Sequence, residues 1–67
     1  MRDVFGCEIK EGVMCAALVD DKLQVGWVDA IQVRDNCVGV KYKDRNGLVR
    51  HALVGNLDIV IDQGVNT

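Results

Sequence analysis

The apolar positions of this chain fall into short runs that are cut every ten to fifteen residues by glycine or by a polar pair, and helical periodicity is hard to find. Val13 to Val19 is followed by the polar loop Asp20-Asp21-Lys22, and Leu23 to Arg34 is a long valine-rich run with Gly26 inside it. Asp35-Asn36 reads as a two-residue turn, and Cys37 to Asp44 as the next strand. Asn46-Gly47 is the strongest local signal, because both residues accept positive φ and favour a type I′ hairpin. Leu48 to Val54 runs back, Gly55-Asn56 breaks it, and Leu57 to Asp62 supplies a last strand.

Five short strands joined by tight turns predict an all-β domain over 1–62, a five-stranded SH3-like small barrel, with 63–67 as a frayed polar tail. The break at Gly55-Asn56 fits one short helical turn before the last strand. An OB-fold is the main competitor and needs a helix between its third and fourth strands, for which there is no signal.

A two-residue turn at Asn46-Gly47 sets a register by counting. Lys43 then faces Arg50, Tyr42 faces His51, Lys41 faces Ala52 and Val40 faces Leu53. Val38, Val40 and Tyr42 would share the core side with Val49, His51 and Leu53. The other face would gather Lys41, Lys43, Arg45 and Arg50 into one basic surface, whose bland reading is a solvated face offset by Asp29 or Asp62. Strict alternation along the second strand would bury Asp29 beside Trp27. A bulge near Asp29-Ala30 is the preferred reading, because it points Val28 and Ile31 inward and turns Trp27 out as an anchor for a partner.

Composition narrows the chemistry. Ten acids against eight bases exclude a highly basic nucleic-acid coat and a heavily acidic DNA mimic. The three cysteines lack zinc-site spacing, and a single His cannot complete a ligand set, so no metal and no cofactor are expected. Cys15 and Cys37 read as small core hydrophobes and Cys7 as part of a turn. His51 reads as a rim residue bonded to a neighbour. The chain contains no serine, its glycines are dispersed one per turn, and it has no aromatic cluster. These facts argue against serine nucleophiles, a phosphate loop and a methyl-lysine cage. An uneven number of thiols, a charged opening segment and no long apolar run set the expectation of a cytoplasmic protein with reduced cysteines and no membrane partner.

The opening Asp3-Val4-Phe5-Gly6-Cys7-Glu8-Ile9-Lys10-Glu11-Gly12 resembles a recurring start of small SH3-like barrel proteins encoded by tailed bacteriophages. Val25-Gly26-Trp27-Val28 and Val38-Gly39-Val40-Lys41-Tyr42 are similar to later strands of the same proteins. The resemblance implies the barrel fold, a viral origin and action on a host protein in the host cytoplasm. The short Asp20-Asp21-Lys22 loop and the tryptophan at Trp27 depart from that pattern, and the loop argues against SH3-type peptide binding.

The expected function is a non-enzymatic protein–protein interaction module, with Trp27, Lys41, Lys43, Arg45 and Arg50 as partner-binding candidates. A second reading is a homo-oligomer holding a nucleotide-like ligand between copies with those bases. The third, a weak accessory nucleic-acid binder, is disfavoured by the acidic net charge and the lack of stacking aromatics.

Overall fold

A computed structural model of the chain describes residues 1–62; the expected polar tail, 63–67, lies outside the described residues. Five antiparallel strands form one sheet: β1 (Met14–Val19), β2 (Lys22–Gln32), β3 (Cys37–Lys43), β4 (Val49–Gly55) and β5 (Ile59–Ile61). The first four follow one another as a meander, and β5 returns to pair with β1, giving the order β4-β3-β2-β1-β5. One 3-10 turn, Asn56–Asp58, precedes the last strand as expected, and another, Val33–Asp35, links β2 to β3. The sheet is not closed into a barrel: β4 and β5 remain its two edges.

The turns differ from expectation in an instructive way. The two-residue I′ type of turn lies at Asp20-Asp21, where Val19 pairs with Lys22 and both aspartates have positive φ, 51° and 64°. Aspartate tolerates that region better than most side chains, so an Asp-Asp pair suffices. At Asn46-Gly47 the loop is longer. Asp44 occupies the first position of a turn closed by the Gly47 N–H to the Asp44 carbonyl at 2.9 Å, and Gly47 alone takes a left-handed φ of 80°. The Asp44 carboxylate also accepts the Asn46 and Leu48 N–H groups at 2.8 and 3.0 Å. Asp at the first position and Gly at the fourth suit a type I turn followed by a left-handed glycine.

That extra residue shifts the β3–β4 register by one from the expected pairing. Lys43 pairs with Val49, Tyr42 with Arg50, Lys41 with His51 and Val40 with Ala52. A one-residue slip moves every side chain of β4 to the opposite face. Val54 and Ala52 therefore point inward with Val38, Val40 and Tyr42, while Val49, His51 and Leu53 point outward.

The β2 bulge is where the sequence places it: the register shifts between Val28 and Ala30, so Asp29 is the extra residue. Val28 is buried, Ile31 packs against the core, and Trp27 turns outward. Gly26 sits inward between Cys15 and Tyr42, and a Cβ there would overlap the Lys41 carbonyl, so only glycine fits this crossing.

The inner face buries Cys15, Ala17, Val19, Val28, Val38, Val40, Val54, Ile59 and Ile61. The chain before β1 folds over it and adds Ile9. Asp3 locks that cover in place. One carboxylate oxygen accepts the Phe5 and Cys7 N–H groups at 2.9 and 2.8 Å, and the other accepts the Ile61 N–H at 2.8 Å. Burial alone would raise the Asp3 carboxyl, yet the donors, Ile61 foremost, outweigh it and hold the group below its ordinary value. The Asp-x-Phe-Gly opening thus has a structural meaning: a capping carboxylate, an exposed Phe5 and a Gly6 at φ 84° that turns the segment back. The Ile61 N–H would otherwise lie on the free edge of β5, so Asp3 also blunts that edge.

Cys15 is buried, and burial pushes its thiol up. Cys37 is only half-buried, which corrects its assignment to the core; its Sγ lies 3.3 Å from the Asp35 carbonyl. Cys15 and Cys37 are free thiols. No helix among the described residues is long and apolar enough to cross a membrane.

Candidate interaction face

The outer face of the sheet has two halves. On β1, β2 and β5 alternation sends out Met14, Ala16, Leu18, Leu23, Val25, Trp27 and Val60, and all but Ala16 are substantially exposed. Leu23 and Val25 are the most open, at 67% and 62% of their full surface, and Trp27 shows 37%. Cross-strand pairing makes them contiguous: Leu18 faces Leu23, Ala16 sits between Val25 and Val60, and Met14 faces Trp27. On β3 and β4 the face turns mixed, with Lys41 and Lys43 beside Val49, His51 and Leu53.

Trp27, Lys41 and His51 form one row across the sheet. The Asp29 bulge lies beside that row and places its carboxylate Oδ2 3.9 Å from His51 Nε2. A shallow groove of about 510 Å³ lies along it, lined by Gly12, Trp27, Val28, Asp29 and Lys41. The bulge supplies this geometry, because an extra residue on β2 redirects side chains and opens the surface beside it.

The expected basic surface is split. Lys41 and Lys43 share the outer face with Trp27, whereas Arg45 lies in the turn and Arg50 points to the inner side opposite Tyr42. The expected like-charge pair of Lys43 and Arg50 does not form, since Lys43 faces Val49. Arg50 Nε donates to Asp44 Oδ2 at 2.9 Å instead. That hydrogen bond, with the Leu48 N–H next, holds the Asp44 carboxyl below its ordinary value and raises Arg50. His51, expected on the core side, is exposed on the outer face. Among the described residues, no three His, Cys, Asp or Glu side chains converge on a point that could hold a metal.

The apolar half is not among the candidates the sequence pattern offers: Met14, Leu18, Leu23, Val25 and Val60 read there simply as strand residues. The signal is the near-continuous apolar character of 13–19 and 23–28. Strands covered on one face alternate apolar with polar, and continuous apolar strands are those covered on both. Here the inner face is covered and the outer is open. Comparison with protein-family models, curated proteins and solved structures finds no match to this chain.

Proposed function

We propose that this chain is a non-enzymatic protein–protein interaction module that binds through the outer face of β5, β1 and β2, with Trp27 as anchor. The observation that carries the reading is the contiguous exposed apolar surface of Met14, Leu18, Leu23, Val25, Trp27 and Val60. Contiguous apolar patches of a few hundred Å² are often functional, and a partly exposed tryptophan beside aliphatic neighbours is a favoured anchor. Lys41 and Lys43 form its polar rim. The bacteriophage resemblance adds the expectation of a small viral protein, of SH3-like descent, acting on a host protein in the cytoplasm. The alternative of a nucleotide bound by Lys41, Lys43, Arg45 and Arg50 has less support, because Arg50 is paired with Asp44 away from the face.

The test is affinity capture from host lysate with the wild-type chain and with Val25→Glu. A partner retained by the first and lost by the second, at equal melting temperature, supports the reading. Retention unaffected by Val25→Glu and by Trp27→Ala would show that this face is not the binding surface.

A further inference from the structure

We infer that the outer face of the sheet is a self-association surface, occupied by the same face of a second copy packed about a two-fold axis. This rests on the reading of that face as an interaction surface and names its occupant.

The described chain supplies one lid, the segment before β1, and it lies on the inner face. The apolar outer half leaves on the order of 500 Å² exposed, so two copies would bury about 1,000 Å², the lower bound for a specific interface. A chain with so small a core also gains from a second apolar layer. Sheets that meet face to face pack with their strands nearly aligned and their side chains interdigitated.

Charge selects a second copy over an unrelated chain. Asp62 donates its N–H to the Met14 carbonyl at 2.9 Å, which continues the β5 ladder and makes the cross-sheet row Asp62, Met14, Trp27, Lys41. A two-fold axis parallel to the strands, above the seam between β1 and β2, inverts that row. Met14 of one copy then lies over Trp27 of the other, and Asp62 lies over Lys41. The row is apolar at its centre and oppositely charged at equal distances from it, which is what an isologous contact requires. Ala16, the smallest side chain on the face, lines a dent of about 220 Å³ with Met14, Val25 and Val60, leaving room for the bulkier side chains of the opposing sheet.

The experiment is sedimentation equilibrium of the full chain from 1 to 300 μM at low and high salt. The expected result is a mass near twice 7.4 kDa at the upper concentrations. Trp27 emission should move to the blue, and iodide quenching should fall, over the same range. Val25→Glu should abolish the dimer, and Leu48→Glu, in the β3–β4 turn, should leave it intact. Lys41→Glu and Asp62→Lys should each weaken association about tenfold, and the two together should restore it to within about threefold. A wild type that stays monomeric at 300 μM overturns the inference, as does a dimer indifferent to Val25→Glu or a charge swap that restores nothing. A monomer that still captures a lysate partner through Val25 leaves the interaction reading standing and removes only the second copy; a monomer whose capture ignores Val25 removes both.

Discussion

Cys15, Ala17, Val28, Val38, Val40, Ile59 and Ile61 line one face of the sheet, and Met14, Leu18, Leu23, Val25, Trp27 and Val60 line the other. The two sets are of the same chemical kind and come from overlapping strands. The first is closed over by the segment before β1, which Asp3 ties to Phe5, Cys7 and Ile61 through three hydrogen bonds. The second meets solvent. Residue type alone does not decide burial in a one-sheet domain; it decides which surfaces ask to be covered, and the fold answers for one of them.

Ile59, fully buried, and Leu23, two-thirds exposed, give the sharpest contrast between the faces. Ile59→Ala should cost about 3 kcal/mol by lost transfer and cavity terms. Leu23→Ala should change monomer stability by no more than about 0.5 kcal/mol. Urea denaturation at low micromolar concentration checks both, and equal costs would erase the distinction.

The lid itself is tested by Asp3→Asn. The amide keeps the shape, but its NH₂ would face the Ile61 N–H, a donor against a donor. We expect a loss of about 2 kcal/mol and a flattened acid limb. In the wild type the Asp3 carboxyl is held below 3.8, its ordinary value. The unfolded chain therefore binds more protons between the native and unfolded values, and stability rises with pH across that window. It is fully present above about pH 5 and is lost as pH falls through the native value, with surface Asp44 contributing in the same direction. An acid limb unchanged in Asp3→Asn would remove Asp3 from this role.

Which side chains of β4 belong to which face depends on the turn around Asp44. Asp44→Ala removes two backbone caps and the Arg50 pair, and should cost about 1 kcal/mol without exchanging the faces. Amide exchange should show the β3–β4 turn opening first, and a His51 that becomes buried would show that Asp44 sets the register outright. At the opposite hairpin Asp21→Gly relieves a positive φ and should raise the melting point slightly, by about 0.5 kcal/mol of stability. A loss there would mean that the Asp21 side chain makes a contact worth more than the relieved strain.

Closure into a barrel was expected and does not occur, whereas the all-β class, the five strands, the helical turn before β5 and the Asp29 bulge with Trp27 outward were legible from residue pattern. Each follows from local chemistry: β-branched runs, polar breaks, and the cost of burying an aspartate. The single basic surface was not legible, because its register hangs on one turn that is a residue longer than its local signal implies. Asn-Gly favours a two-residue turn in isolation, but here the chain forms a loop one residue longer, which points Ala52 and Val54 inward and in which Asp44 caps two backbone N–H groups. That moved His51 outward and Arg50 inward.

The sequence by itself determined that this chain makes short strands with one bulged, tryptophan-bearing member, because backbone propensity and side-chain alternation act over a few residues. Only the tertiary structure decided which apolar stripe is closed over and which is left open. That choice depends on a segment before β1 reaching β5 through Asp3, 58 residues away along the chain, and no local pattern encodes such a contact.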